Sequence, residues 1–538
     1  MPVLNLSELN IVLSVLGAFT ILYGIISVKI KQAWYLGEAL PAVFIGVILG
    51  PLAAKFIESE KWGSAEPGQT NAITLGVARV MIGVQLVIAG YQLPAKYGLA
   101  RWKEMALCLL PIMTVMWLCT TACIMLTIPK LTLLAALVIG SCVTCTDPIL
   151  SQAIAKGPFA DKYSLVHYAR SSLPKRHADI PGAAAKAGAA GEAGHSHTHA
   201  LMARAGEVGR LGGGVGVALT EWFVETWLYT IVLSIAYGAV VGYGSCKAVR
   251  LALRWKWIDN ESYVLFPTAL GLFIVGTCGA LSTDDLLACF VAGCALNWDG
   301  HYLRETELRH DEVNSCVDVL LNFGGFMYIG AILPWSDFND PTGTGITWGR
   351  LLGLGLLVLI FRRLPAIFAF YKLMPGVCKN WKEALFMGYF GPIGAGAVFY
   401  VEHARHLFPH DGEGDEEETN LVRAMGPTVY WLVLFSIIVH GLSIPALNVF
   451  YHYTGKAPIK EDAVELRRIS MQVATPANAV AGDKDTFIAY NRFSRHVDAN
   501  AIGLPVSRSA NEDHEFSDDE DLGKERQSPK KKGGLTFV

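Results

Sequence analysis

Charge is scarce in this 538-residue sequence. Asp, Glu, Lys and Arg together make up 17% of it, against about 25% in an average soluble domain, while hydrophobic residues reach 52%. The mean hydropathy is +0.37. So little charge over such a length excludes an ordinary multidomain soluble protein and implies many membrane-buried segments. A cleavable leader is also lacking. Met1–Asn10 has no basic start, and the first apolar run does not end in a small-residue cleavage site, so that run is read as an anchored helix. A disulfide framework is lacking too, despite eleven cysteines. Cys108, Cys119, Cys123, Cys142, Cys145, Cys278, Cys289 and Cys294 lie inside apolar runs, where a thiol packs as a small residue. That context favours packing over redox or zinc chemistry for Cys142-x-x-Cys145. No Walker motif supports ATP-driven work, no H-E-x-x-H lies in a span to support a metalloenzyme, and nothing favours nucleic-acid binding. The expectation is a non-enzyme without metal or cofactor.

What is abundant is apolar runs of membrane length, about 20 residues each. They predict an all-α polytopic membrane protein of about 12 helices, near 11–29, 34–54, 72–93, 104–127, 131–155, 222–244, 262–281, 284–298, 313–333, 348–371, 383–402 and 427–451. The transmembrane domain spans residues 1–455, and 456–538 form a polar, cytoplasmic tail expected to be disordered. Lys and Arg collect on the cytoplasmic side. Lys372, Lys379 and Lys382 therefore face inward, while the acidic connection Asp411-Gly-Glu-Gly-Asp-Glu-Glu-Glu418 faces outward.

The two ends of the chain make conflicting demands. Lys96, Arg101 and Lys103 put the 95–103 loop inside, so the 131–155 helix ends inside, where Lys156, Lys162 and Arg170 follow it. Counting back from the tail through Lys247, Arg250, Arg254 and Lys256, the 222–244 helix must start outside. The connection 156–221 has no apolar run long enough to cross. It is rich in Ala, Gly and His, including His195, His197 and His199, an incidental cluster rather than a metal site. One crossing is missing.

Ionisable residues inside spans are costly and usually functional. Asp147 sits mid-span in Thr146-Asp147-Pro148. Pro148 removes a backbone donor, so carbonyls near Thr144 lose partners. Carbonyl oxygens beside a carboxylate suit a small hard cation, with Thr144, Thr146 and Asp147 as ligands. The alternative is a proline kink whose carboxylate pairs with a neighbouring helix. A second interruption, Gly391-Pro392-Ile-Gly394, lies in the 383–402 helix, and two such spans are the pattern of an inverted-repeat transporter. Asp284 and Asp285 open a short apolar run, where they either complement the helix dipole or attract cations. Asp318 needs a partner, and Arg362 and Arg363 before Leu364-Pro365 are candidates for a structural ion pair. His440 is expected to pack through hydrogen bonds rather than relay protons. The tail combines Asp518-Asp-Glu-Asp521 with Arg526-Gln-Ser-Pro-Lys530, which fits regulation by a kinase or another protein.

Taken in order, Thr146-Asp147-Pro148 with Lys156-Gly-Pro-Phe-Ala160, Glu221-Trp-Phe223, Leu281-Ser-Thr-Asp-Asp-Leu286 through Asn297-Trp-Asp-Gly300, Phe361-Arg-Arg-Leu-Pro365, Gly388-Tyr-Phe-Gly-Pro-Ile-Gly394 and Val439-His-Gly-Leu-Ser443 resemble the fungal plasma-membrane sodium (potassium)/proton antiporters of the monovalent cation/proton antiporter superfamily. The resemblance covers roughly residues 10–455. It implies two inverted repeats around crossed, broken helices, a homodimer, and exchange of Na⁺, K⁺ or Li⁺ for H⁺. The same resemblance implies a thirteenth helix after Lys156-Gly-Pro-Phe-Ala160, carrying an Asn-Asp pair whose Asp is the central ion-exchanging carboxylate. This sequence has no Asn-Asp there; Asp179 in Ala178-Asp-Ile-Pro181 is a loop residue. Tyr389 stands where relatives often have His. Two readings follow: an active antiporter using Asp147, or a transport-incompetent variant produced by a splicing or gene-model defect. Sequencing the transcript across the codons for Phe159 to Gly191 separates a defect from a true deletion. An extra in-frame stretch of about 30 residues with an Asn-Asp pair is expected, and a transcript encoding this chain unchanged would make the deletion real.

Overall fold

The computed structural model describes residues 8–33, 37–62, 68–147, 220, 222–309, 313–375, 377–378, 380–409 and 414–453. Pro148, nearly all of the 156–221 connection, part of the acidic 411–418 stretch and the tail lie outside the described residues.

Every apolar run expected to cross the membrane corresponds to a described helix. The first four are α1 (Glu8–Ala33), α2 (Ala39–Leu49), α3 (Gln69–Tyr91) and α4 (Trp102–Thr127), the last carrying a π-helical turn over Cys108–Ile112 around Pro111. Next comes α5 (Leu133–Thr144), whose N-cap Thr132 accepts from the Ala135 amide. A π-helical stretch Trp222–Val232 leads into α6 (Leu233–Arg254). Then α7 (Asn260–Leu281) and α8 (Asp285–Leu296) start at the aspartate caps Asp259 and Asp284. The amphipathic α9 (His301–Leu308) was not among the expected elements, because a polar eight-residue helix carries no span signal. The remainder are α10 (Val313–Ala331), α11 (Trp348–Phe361), α12 (Leu364–Phe370), α13 (Trp381–Tyr389), α14 (Ala395–Arg405) and α15 (Glu416–Tyr453). Between α10 and α11 the chain folds on Asp340. The Gly343 and Thr344 amides donate to its carboxylate over 2.8 and 3.0 Å and hold it below the usual carboxylate range.

Two spans divide, one against expectation and one as expected. The 348–371 run is two helices that part at Arg362-Arg363, since Pro365 in the first turn of α12 cannot donate back into α11. The 383–402 run divides into α13 and α14 around Phe390–Gly394, the interruption its Gly-Pro-Ile-Gly sequence predicts.

The helices pack as two bundles. One gathers α2, α3, α6, α7, α8 and α10; the other gathers α4, α5, α11, α14 and α15. They meet where α14 lies along α3. In the first bundle, α3 and α8 approach backbone to backbone. A Cβ on Gly90 would stand 2.7 Å from the Phe290 carbonyl oxygen and 2.8 Å from the Cys294 nitrogen. In lipid, where apolar burial does not drive helices together, such close dispersion contacts hold them instead. Gly90→Ala is therefore expected to lower the unfolding temperature of the detergent-solubilised protein, at a cost of about 1–3 kcal/mol. Gly76→Ala, with open space at its Cβ, is expected to leave that temperature unchanged or slightly raised. Equal effects from the two would contradict this packing.

Candidate ion site at the crossed helix breaks

An interrupted helix in a membrane leaves backbone groups without their usual partners, each costing several kcal/mol unless another group takes them up. Two of the interruptions here, after α5 and between α13 and α14, each supply what the other lacks. After α5 the chain leaves helical geometry at Cys145. The Asp147 amide donates to the Pro392 carbonyl over 2.8 Å, and the Asp147 Oδ2 accepts from the Ala395 amide over 2.8 Å. Asp147, 2% exposed, thus caps the N-terminus of α14, where aligned peptide dipoles favour an anion. Gly394 makes this possible, because any Cβ there would overlap the carboxylate.

Arg362 spans both breaks. Its Nη1 donates to the carbonyls of Val143 at 2.7 Å and Cys145 at 3.0 Å, with Thr144 at 3.4 Å, and its Nη2 donates to Gly391. The expected ion pair with Asp318 does not form. Asp318 instead accepts from Gln85 Nε2 over 2.8 Å, on the α3–α10 contact of the other bundle. The reason is local: the breaks release carbonyl oxygens next to Arg362, and a guanidinium fork satisfies several at once. The carbonyls expected to ligate a cation are consequently held by an arginine. The Thr144 hydroxyl donates to the Gly140 carbonyl over 2.6 Å, which leaves its oxygen lone pairs as the only ligating capacity of that side chain. Thr146 is buried beside Asp147.

The remaining groups of the second break are met by α15. The Ile393 amide donates to Ser436 Oγ over 2.7 Å, and His440 contacts Ser436 through Nδ1 and the Tyr389 carbonyl through Nε2, at 3.0 Å. Both ring nitrogens thus face backbone carbonyls, since Nδ1 also lies 2.9 Å from the Ser436 carbonyl oxygen. This is the packing role expected for His440. Tyr389 donates or accepts through its phenol with Ser443 over 2.6 Å. Beside the breaks lies a small space of about 20 Å³, room for about one water, lined by Arg362, Arg363, Tyr389, Phe435, Ser436 and His440.

Asp284 and Asp285 have partners of their own. Asp284 caps α8 by accepting from the Leu287 amide over 3.0 Å, and Asp285 pairs with Arg79 of α3. Arg79 was not anticipated, nor was Glu402 of α14, which is 1% exposed and accepts from Tyr430 over 2.8 Å. Glu402 lies near the end of its span, where a charge reads as interfacial, whereas Arg79 sits in the middle of α3.

The Arg362 contacts imply that Arg362→Gln leaves carbonyls at both breaks unpaired and destabilises the chain by about 3 kcal/mol or more. Arg362→Lys is expected to fall between, since an ammonium lacks the planar fork. Thermal unfolding in detergent checks the order, and a Gln variant as stable as the parent would contradict it.

Residues 15–165 and 204–449 match the transmembrane sodium/hydrogen exchanger family. The chain is 31% identical over 456 residues to Na(+)/H(+) antiporter 2 of Zygosaccharomyces rouxii, covering 82% of this chain and 53% of that protein. It is 31% identical to a Saccharomyces cerevisiae Na(+)/H(+) antiporter, covering 84% of this chain and 44% of that protein. It therefore spans about half the length of these curated relatives. A Schizosaccharomyces pombe Na(+)/H(+) antiporter is 30% identical, with 83% of this chain and 92% of that protein covered. The sodium proton antiporter MjNhaP1 from Methanocaldococcus jannaschii shares the fold, with a TM-score of 0.55 at 14% identity, covering 82% of this chain and 99% of that one. By its helical architecture and these matches, the chain is a multi-pass membrane protein belonging to the sodium/hydrogen exchanger family.

Proposed function

We propose that this chain performs secondary active transport, exchanging Na⁺, K⁺ or Li⁺ for H⁺ across the plasma membrane, for salt tolerance and for pH and cation homeostasis. One observation carries this reading: Asp147 is a buried carboxylate at the crossing of two interrupted helices, against the positive end of α14. A carboxylate there binds either a proton or a cation, and alternation between them couples the two fluxes without ATP or any cofactor. Relatives named as Na(+)/H(+) antiporters support the choice of ions. The reading also holds that the acidic 411–418 side faces outward, the tail is cytoplasmic and open to a kinase or regulatory protein, and two copies form a homodimer in the bilayer.

A second reading, a transport-incompetent variant, is favoured by one specific observation. The segment that should carry an Asn-Asp pair has none, and the family match breaks over residues 166–203. Reconstitution of the full chain into vesicles with a trapped pH dye decides between them. Under the antiport reading, a pulse of external Na⁺ moves protons out of vesicles carrying the chain, and Asp147→Asn reduces this to the level of empty vesicles. An unaltered Asp147→Asn signal would exclude Asp147 as the ion carrier. A silent parent chain would establish the second reading.

A further inference from the structure

Glu402 is a buried carboxylate that neither the helix breaks nor the fold requires. It lies on α14, seven residues beyond Ala395, whose amide donates to Asp147. Seven residues are nearly two turns, about 10 Å along the helix and back on the same face. Glu402 therefore stands beyond Asp147 toward the acidic-loop side. Its side chain is 2% exposed. Oε1 accepts from the Tyr430 phenol of α15 over 2.8 Å, while Oε2 is buried without a hydrogen-bond partner. An ionised carboxylate deep in the protein with an unmet oxygen is expensive; a proton on that oxygen removes the charge and the cost together.

The groups facing Glu402 come from every element packed around it. Arg405, one turn on, has Nη1 3.9 Å from Oε2, beyond hydrogen-bond reach, and also donates to Asn71 of α3 over 3.2 Å. His403 is stacked on Phe399 and lies within the electrostatic reach of Arg79 of α3. Cys142 of α5 and Tyr328 of α10 lie within the electrostatic reach of Glu402 itself. This set suits a proton and not an alkali cation. An alkali ion needs several converging oxygens, whereas Glu402 offers one carboxylate and one phenol with a guanidinium nearby. The second observation is positional: α14, which carries Glu402, lies where the two bundles meet, and Arg405 reaches across to α3.

We propose that Glu402 is a second proton-exchanging group of this transporter, taking up a proton on Oε2 from the acidic-loop side and standing between that side and Asp147. The step is a simple protonation: the carboxylate binds a solvent proton, Tyr430 keeps its hydrogen bond to Oε1, and release regenerates the anion. The inference rests on the antiport reading for its purpose, though its chemistry can be measured without transport.

The test is infrared difference spectroscopy of the purified full chain as pH is lowered. The parent is expected to gain a protonated-carboxyl carbonyl band that Glu402→Gln lacks. Tyr430→Phe leaves Glu402 in place and is expected to shift that band, so the assignment survives if the Gln variant fails to fold. A Glu402→Gln spectrum superimposable on the parent, or a band unmoved in Tyr430→Phe, would overturn the proposal. The vesicle assay keeps the two readings apart. A silent parent with an intact Glu402 band defeats antiport alone, whereas an active parent without the band defeats this proposal alone.

Discussion

One guanidinium governs the centre of this molecule. A chain that interrupts two helices inside a membrane exposes carbonyl oxygens with no water to bind them, and each left unmet costs several kcal/mol. Arg362 meets them on both sides, at Val143 and Cys145 of one break and at Gly391 of the other. The remaining terms follow from that clamp. With the breaks held together, the Pro392 carbonyl faces the Asp147 amide and the start of α14 faces the Asp147 carboxylate. Ser436 and His440 complete the accounting at Ile393 and Tyr389. A cation fixed by carbonyls and an anion fixed by an amide lie at the same crossing. That arrangement explains how a buried aspartate is tolerated.

Much of this was legible in the residues themselves. The spans were readable because each is an apolar run of membrane length, and the interruptions because Gly391, Pro392 and Gly394 cannot continue a helix easily. Asp147 was visible as a carboxylate with no business in a span unless it works there. The partner of Arg362 was not. A sequence shows that a charge is present but not which oxygens will surround it, and an unwound carbonyl looks the same as a helical one until the fold exists. Asp318 therefore appeared to be the natural counterion, whereas Gln85 supplies its hydrogen bond. The bond of the Thr144 hydroxyl to the Gly140 carbonyl of its own helix was unreadable for a related reason.

Glu402 and Arg79 were hidden differently. Glu402 lies within a few residues of its span end, where a charged side chain is ordinarily taken to reach solvent, whereas Arg79 sits in the middle of α3 and its partner Asp285 comes from a distant helix. Only the packing of α14 against α3 and α15 makes Glu402 a buried group. That the 156–221 connection holds no apolar run of membrane length and no Asn-Asp pair was conversely a sequence observation, and the interruption of the family match falls within the same connection. Whatever that connection contributes, Asp147 keeps its cap and Arg362 keeps its carbonyls among the described residues.

The central claim is that Asp147 exchanges a proton for an alkali cation at the crossed breaks. The most direct measurement is labelling of the full chain with a hydrophobic carbodiimide, which reacts with protonated buried carboxyls, followed by mass spectrometry with and without Na⁺ or Li⁺. The account predicts modification at Asp147 that the cations suppress in a concentration-dependent way. Labelling of Asp147 that no alkali cation changes would contradict it.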